Sequence, residues 1–401
     1  MMLFTCSRIH AEGGLVDGYV LVDGRRIAAV EAGPVPAELQ GVDRVDLPDC
    51  DLIPGMIDLH IHGAGGWPVE GADVGLLQGL GRFLAGFGVT GFLPSASARP
   101  LEELEEVARQ VRAATEAEYD GAAILGLHLE GPFLNPKRPG AMHIHNLRTP
   151  SVAEAERLLA AGGGTVRRVS LAPELPGAPE LIRYLVAQGV TVAGAHTDAT
   201  YAETVAGIEA GVSLATHTYN AMRGLHHREP GAVGAYLTDD RVTCEIICDL
   251  LHVHPAAVRI ALRAAGPDRV ALISDAIPAA GLKPGHYLLW GRDLYIDEQG
   301  YSKLADGTIA GSTKLMLHGL RNLVEVLGVP WAEAVRMASL IPARAIGLAD
   351  RKGSLAPGKD ADLVAIGPGW QVAWCVVEGR VVRRPGDPPP AYNPEAKAID
   401  E

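Results

Sequence analysis

The segment at residues 52–62, LIPGMIDLHIH, is an apolar, strand-like run that ends in two histidines, and the pattern of the whole chain follows from it. Further strand-like runs lie at 88–93, 122–127, 166–171, 190–194, 212–215, 242–247 and 270–273. Stretches with helical spacing separate several of them, at 101–114, 180–188 and 255–264. Strands that alternate with helices are typical of a parallel sheet with crossover helices, and about eight of them predict a (β/α)8 TIM-type barrel. A doubly wound sheet is the alternative architecture.

Both ends of the chain read differently, as short strands around tight turns. Residues 18–22 and 26–30 flank the turn at Asp23-Gly24, which is the pattern of a β-hairpin. Residues 362–366 and 374–382 repeat this pattern at the far end. We therefore predict a small β-sandwich domain built from both termini, over residues 1–52 and 351–401, with the barrel at 53–350. The proline-rich tail after Arg384 is expected to be loosely held.

Composition limits the classes of partner. The chain has 401 residues, 48% of them hydrophobic, which is enough for one large core with a small satellite domain. It has no long uncharged apolar run and no signal-peptide pattern at Met1, so we expect a cytoplasmic protein without membrane contact. A formal net charge of −13 argues against binding to nucleic acid or anionic membranes. A small anionic substrate needs only a local basic pocket.

Acidic and histidine side chains follow most of the strand-like runs. Since the carboxyl ends of barrel strands open onto one face, we expect these side chains to converge there. Residues two apart on a strand point to the same side, and imidazole and carboxylate groups suit zinc and related divalent ions. One such histidine is more often structural, so the predicted metal site depends on six residues together: His60, His62, Glu130, His196, His217 and Asp275.

A second polar cluster follows His217 in the chain. Residues 218–222 read TYNAM, and Arg228 comes shortly afterwards. A guanidinium in a loop at the mouth of a barrel suits a phosphate, because its fork matches two oxygens at once. A solvated surface arginine is an equally good interpretation of the spacing alone.

Several motifs resemble a known family. Residues 52–63 are similar to the first-strand signature of the amidohydrolase superfamily, and residues 353–364, GSLAPGKDADLV, are similar to its closing strand. Four segments resemble the N-acetylglucosamine-6-phosphate deacetylase family within it: HLEGPFLN at 128–135, AHTDAT at 195–200, THTYNAM at 216–222 and SDAIPAAG at 274–281. The resemblance implies hydrolysis of N-acetyl-D-glucosamine 6-phosphate to D-glucosamine 6-phosphate and acetate, a step of amino-sugar catabolism.

The resemblance also implies roles for the strand-end residues. One divalent ion would be held by Glu130, His196 and His217, with Asp275 as the catalytic carboxylate that accepts a proton from water and passes it to the departing amine. His60 and His62 would complete a second ion site, so one or two ions per subunit are expected. Zinc is the first choice of metal, and iron, manganese and cobalt accept the same ligands.

For the substrate, the resemblance assigns the phosphate to Asn220, Ala221 and Arg228. It assigns the sugar to His252 and to the loop Ile309-Ala310-Gly311. In this family the arginine reaches in from a neighbouring subunit, so a homodimer is implied.

Two positions depart from the family pattern. Met142 stands where the family usually has a histidine at the acetyl carbonyl, and His143 or His145 is the expected substitute. Leu250 replaces a usual glycine. These departures leave open another amidohydrolase that acts on a different N-acylated or cyclic amide. The rival from another class is a metal-free binding or scaffold barrel.

Overall fold

The first five strands of the computed structural model, which describes residues 1–396, lie in a sheet outside the barrel. They are β1 (Met2–Ala11), β2 (Gly14–Asp23), β3 (Arg26–Ala32), β4 (Asp43–Leu47) and β5 (Asp51–Pro54). β1 to β3 form antiparallel pairs, and β4 and β5 pair with β1 in parallel. The predicted hairpin at Asp23-Gly24 is thus the β2–β3 turn.

Eight parallel strands then form the barrel. They are β6 (Met56–Ile61), β9 (Val89–Ala96), β11 (Leu127–Glu130), β12 (Val166–Leu171), β13 (Thr191–Gly194), β14 (Val212–Ala215), β15 (Thr243–Ile247) and β16 (Val270–Ile273). Three short strands accompany them: β7 (Gly63–Ala64), β8 (Trp67–Pro68) and β10 (Ala123–Ile124). The first and last barrel strands meet through Asp275 N, which donates to His60 O at 2.9 Å, and His62 N, which donates to Ala276 O at 2.7 Å. The predicted barrel is confirmed.

Helices cover the outside of the barrel. They are α1 (Val74–Ala85), α2 (Leu101–Glu116), α3 (Val152–Gly162), α4 (Ala178–Ala187), α5 (Tyr201–Ala210), α6 (Gly231–Thr238), α7 (Pro255–Ala265), α8 (Met316–Arg321), α9 (Trp331–Ala338) and α10 (Leu340–Ala345). Local sequence sets several of their ends. α5 begins with a capping box between Thr200 and Glu203, and α3 ends at Gly163, whose φ of 55° suits glycine.

A small antiparallel sheet follows the last barrel strand and was not predicted. It contains β17 (Gly285–Leu289), β18 (Arg292–Ile296) and β19 (Ser302–Leu304). Its apolar face, with Leu294 and Ile296, packs on Ile277 in a core of its own. The sheet therefore lies beside the segment that carries Asp275.

The chain returns to the first sheet at its far end. β20 (Leu363–Gly367) pairs with β5, and β21 (Gln371–Val377) and β22 (Arg380–Arg383) extend the sheet from there. The prediction that both ends combine in one β unit is confirmed.

The segment after Arg384 is held against the barrel, so the expectation of a loose tail was wrong for its described part. Trp67 Nε1 donates to Ala391 O at 3.1 Å, and Tyr392 Oη donates to Gly281 O at 3.1 Å. Asn393 N donates to Gly65 O at 2.8 Å. Residues 397–401, the end of the predicted tail, lie outside the described residues.

Two predicted strands are each divided in the structure. The run at 52–59 changes sheets at Gly55, where an added Cβ would lie 1.9 Å from Thr90 Oγ1. The run at 122–127 is interrupted by Gly126, whose φ is 136°. Within residues 1–396 no helix has the length and apolarity needed to cross a membrane.

Candidate active site

The six strand-end residues predicted from the sequence meet at the carboxyl end of the barrel. They form two groups whose ligand atoms lie within 4.8 Å of one another, one of His60, His62 and Asp275 and one of Glu130, His196 and His217. All six side chains are buried or nearly so, with Asp275 the most exposed at 9%. The long-range convergence that the sequence predicted is therefore present.

Glu130 lies between the two groups. Its Oε1 is 3.0 Å from His217 Nε2 and 3.2 Å from His196 Nε2. Its Oε2 is 3.1 Å from His62 Nε2 and 3.4 Å from His60 Nε2. One carboxylate thus faces both histidine pairs, which is the arrangement that a bridging ligand requires.

The carboxylates around His60 favour positive charge at that end of the cluster. Burial lowers the pKa of His60, but the carboxylates of Glu130 and Asp275 outweigh it and raise that pKa to about 9. Imidazole nitrogen and carboxylate oxygen are also the donors that divalent transition ions accept. The ligand atoms and the negative charge of the carboxylates therefore suit a bound cation.

Backbone strain is concentrated at these strand ends. His196, His217 and Asp275 have φ values of 42°, 31° and 50°, in the left-handed region that bulky residues rarely adopt. Such strain costs free energy and clusters at functional sites, where the surrounding structure maintains it. The left-handed backbone conformation turns these three side chains away from the strand direction and into the cluster.

A buried ion pair lies beneath the cluster, and sequence reasoning missed it. Arg168 on β12 and Glu245 on β15 are both fully buried, and Arg168 Nη2 lies 2.8 Å from Glu245 Oε2. The same Oε2 accepts a hydrogen bond from His217 N at 3.3 Å and lies 3.8 Å from His60 Nδ1. Two charged residues inside apolar strand-like runs were the signal that could have revealed the pair.

A second carboxylate and a backbone carbonyl lie beside the Nδ1 atoms of two of the histidines. Glu70 Oε1 lies 3.4 Å from His62 Nδ1 and also accepts hydrogen bonds from Ser97. Arg138 O lies 2.8 Å from His196 Nδ1. Such contacts fix the orientation of a ligating imidazole. Glu70 lies in a loop without a recognisable motif, so the sequence offered no signal for it.

A cavity of about 480 Å³ opens over the cluster. Of the residues predicted to bind substrate, six line it: Met142, Asn220, Ala221, His252, Ile309 and Gly311. Ala310 lies between two of these and is fully buried. The structure therefore brings most of the predicted substrate residues to one cavity.

Besides Ala310, two predicted residues do not line this cavity. Arg228 is exposed, and its Nη1 lies 2.7 Å from His227 Nε2. His143 Nε2 donates to Trp290 O at 3.2 Å. Met142, not His143, lies on the cavity wall, where its Sδ accepts a hydrogen bond from Ala98 N at 3.3 Å.

The imidazole of His252 is held in place by the carboxylate of Asp249. Its Nδ1 lies 2.8 Å from Asp249 Oδ2, and Ser312 Oγ donates to the same oxygen at 2.8 Å. Burial raises the pKa of Asp249, but His252 outweighs it and lowers that pKa to about 2. The carboxylate stays ionised and orients the imidazole towards the cavity.

Lys137 and Trp290 are among the cavity residues that sequence reasoning missed. Lys137 is an exposed cation at the rim, two residues after Asn135 of the HLEGPFLN segment. Trp290 comes from the turn of the unpredicted β17–β18 hairpin. Lysine two residues beyond a matching motif was a usable signal, whereas nothing local marked Trp290.

Comparisons with known proteins identify the family of the chain. A profile of the amidohydrolase family matches residues 52–382. The N-acetylgalactosamine-6-phosphate deacetylase of Escherichia coli O157:H7 is 39% identical, over 92% of this chain and 96% of its own length. The N-acetylglucosamine-6-phosphate deacetylase of Vibrio furnissii is 38% identical, over 92% and 89%.

A solved structure is similar over the same extent. It is a mutant N-acetyl-D-glucosamine-6-phosphate deacetylase from Mycobacterium smegmatis in complex with N-acetyl-D-glucosamine-6-phosphate. Its TM-score is 0.89 at 36% identity, and the match covers 95% of this chain and 99% of that one. This chain therefore belongs to the amidohydrolase family, in the group of the N-acetylglucosamine-6-phosphate deacetylases.

Proposed function

We propose that this protein hydrolyses the acetamide of N-acetyl-D-glucosamine 6-phosphate to D-glucosamine 6-phosphate and acetate. The observation that carries the proposal is the pair of buried ligand groups joined by Glu130 at the floor of a cavity of about 480 Å³. A cavity of this size suits one phosphorylated monosaccharide. The named activities of the relatives supply the substrate class.

The family and the two ligand groups imply a divalent metal. We assign one ion to Glu130, His196 and His217 and a second site to His60 and His62, with zinc as the metal because nitrogen-rich sites suit it. When bound, such an ion polarises a carbonyl and lowers the pKa of water to about 7. Glu245 Oε2 lies 3.8 Å from His60 Nδ1 and Glu70 Oε1 lies 3.4 Å from His62 Nδ1, so we assign these two carboxylates to the support of the two imidazoles.

Asp275 is the residue that we assign to proton transfer. Its Oδ1 lies 3.4 Å from His60 Nε2, and its backbone is fixed by Ser312 N, which donates to Asp275 O at 2.7 Å. A carboxylate held rigidly at the cavity floor can accept the proton of the attacking water. The same carboxyl group then delivers that proton to the nitrogen of the departing amine.

The phosphate is assigned to Asn220, Ala221 and Arg228, and the sugar to His252 and the loop at 309–311. Arg228 is exposed and outside the cavity of its own chain, which supports a homodimer in which it reaches the neighbouring site. A C2 dimer would supply the arginine to both sites by the same contact.

We assign the protein to the cytoplasm. All five cysteines are buried and none forms a disulfide in the described chain. Unpaired cysteines are typical of reducing compartments.

One other substrate has specific support. The relative from Escherichia coli O157:H7 is named for the galactose epimer of the sugar, and its identity of 39% is close to the 38% of the Vibrio furnissii enzyme. The two sugars differ only at C4. His252 and the loop at 309–311 are the assigned sugar contacts, so they would decide between them.

The test is a deacetylation assay with metal quantified in the same preparation. We expect acetate release from N-acetylglucosamine 6-phosphate by metal-loaded protein, at a higher kcat/KM than from the galactose epimer or from unphosphorylated N-acetylglucosamine. Cyclic amides serve as the negative comparison. A higher kcat/KM for the galactose epimer would change the assigned substrate to that sugar. Turnover of cyclic amides alone would refute the deacetylase proposal. Full activity without metal would refute the metal assignment.

A further inference from the structure

Trp290 occupies a turn position that does not suit it. The β17–β18 hairpin closes with two residues, Trp290 and Gly291, between the paired Leu289 and Arg292. Both turn residues have positive φ, 52° and 77°. Hairpin turns of this kind favour asparagine, aspartate or glycine at the first position, because a bulky side chain is strained there. The chain therefore accepts strain to place an indole at this point.

The indole is turned into the active-site cavity rather than towards solvent. It lines the cavity beside His62, with the two ring centroids 5.5 Å apart and the planes at 80°. Arg99 lies over the indole at 5.9 Å from the ring centroid. Trp290 Nε1 is buried without a hydrogen-bond partner among residues 1–396, which is a further cost to stability. These features indicate that the ring is retained for function.

The hairpin is joined to the loop that carries Met142. His143 Nε2 donates to Trp290 O at 3.2 Å, and Arg292 Nη1 donates to Ala141 O at 3.1 Å. These two bonds hold the hairpin and the loop together, and Trp290 and Met142 line the same cavity. A rigid apolar wall limits the size of the group that fits against it.

The two ends of the cavity differ in chemistry. Near His196 lie the phosphate candidates, since a Cβ added at Gly140 would meet His196 Cε1 at 2.9 Å and Ala221 Cβ at 3.9 Å. Trp290 lies next to His62, which faces Glu130 Oε2, whereas His196 faces Glu130 Oε1. In a hexosamine 6-phosphate the N-acyl group on C2 and the phosphate on C6 project to opposite sides of the ring. With the phosphate beside Ala221, the acyl group points to the end near His62.

We propose that Trp290, together with Met142, forms the wall against which the acyl methyl group packs, and that this wall restricts the enzyme to short acyl chains. The inference rests on the proposed deacetylase function. An extra methylene that a rigid apolar pocket cannot accommodate changes kcat/KM by about 10–200-fold. The wild-type protein should therefore prefer N-acetyl over N-propionyl and N-butyryl substrates by at least about tenfold per methylene.

The test compares N-acetyl-, N-propionyl- and N-butyrylglucosamine 6-phosphate on the metal-loaded full chain. We expect Trp290→Asn to reduce the acetyl-to-butyryl ratio of kcat/KM by at least about tenfold. Asparagine suits the turn, so the thermal midpoint should be retained, and Trp290→Phe should keep most of the selectivity. Leu288→Asn, on the exposed face of the same hairpin, is the control and should leave the ratio unchanged.

The outcomes separate the two proposals. An unchanged ratio in a folded Trp290→Asn protein would overturn the acyl-wall inference while leaving the deacetylase function intact. A wild-type protein that already accepts all three acyl groups equally would overturn it as well. If the loaded wild-type protein releases no acid from any of the three, the proposed function itself fails.

Discussion

Arg168 and Glu245 form an ion pair in which both side chains are fully buried, directly beneath the histidine cluster. Arg168 also donates to Leu59 O at 3.1 Å and to Thr216 Oγ1 at 2.7 Å, so one guanidinium joins three barrel strands. The ion pair fixes the Glu245 carboxylate, which accepts a hydrogen bond from His217 N and lies near His60. It therefore connects the stability of the barrel to the geometry of the site.

Removing one partner of this pair should be costly. We expect Arg168→Met to lower the free energy of unfolding by about 3–5 kcal/mol, because it leaves Glu245 buried and unpaired. The double variant Arg168→Met/Glu245→Leu should recover part of that loss. Urea denaturation measures the free energy of unfolding of the single and the double variant, with Arg109→Met on the exposed face of α2 as the control. A double variant less stable than the single one would contradict the explanation.

Asp275→Asn should fold and bind metal but lose turnover. Asparagine keeps the shape of the side chain but cannot accept and return the proton, so we expect kcat to fall by about 10²–10⁴-fold. Steady-state kinetics, circular dichroism and metal analysis on one preparation provide the measurement. Asp240→Asn, at an almost fully exposed carboxylate, is the matched control. A near wild-type rate would remove Asp275 from the mechanism.

Arg228→Ala should raise KM for the phosphorylated sugar by at least about tenfold, because a charge-assisted hydrogen bond to phosphate is lost. KM for unphosphorylated N-acetylglucosamine should change little. Arg263→Ala, at an exposed arginine near the end of α7, is the control. Equal effects of Arg228→Ala on both substrates would exclude a phosphate contact.

Mixed dimers test whether Arg228 acts on the neighbouring subunit. Arg228→Ala and Asp275→Asn chains are each impaired alone. If the arginine acts across the interface, a mixed dimer contains one intact site, so combined chains should exceed the summed activity of the two separate variants. Sedimentation or light scattering checks that dimers form. Strict additivity in re-formed dimers would place the arginine in its own subunit's site.

Glu130→Gln should reduce bound metal more than His62→Asn. Glu130 faces both ligand groups, whereas His62 belongs to one. Elemental analysis of purified protein after dialysis gives ions per subunit, and Glu180→Gln, at an exposed carboxylate on α4, serves as the control. Equal losses in the two variants would argue against a bridging role for Glu130.

The strand-end residues were predictable because parallel barrel strands all point their carboxyl ends to one face. Glu130, His196 and Asp275 needed only this rule and their positions after apolar runs. For the partners that orient them the sequence offered only a partial signal. The charges of Arg168 and Glu245 inside apolar strand-like runs mark each residue as unusual, but no local periodicity records that the two meet across strands far apart in the sequence.

Other features escaped prediction for steric reasons. The apolar run at 52–59 looks continuous, but close contact at Gly55 with Thr90 divides it between two sheets. The proline-rich composition after Arg384 suggested a loose tail, yet Tyr392 packs on Phe83 with ring centroids 5.2 Å apart. Composition indicates the intrinsic preferences of a segment but not the protein surface against which the segment packs.

The pairing of Leu52 with Ala365 has a consequence for how the chain reaches its native state. The outer sheet cannot be completed until the two ends of the chain, which flank the barrel in the sequence, come together. Folding is therefore dominated by contacts of very high sequence separation and should be slow. Until β20 arrives, β5 presents an open edge to other nascent or refolding chains. Recovery from denaturant should therefore fall as protein concentration rises, even where the native fold is stable.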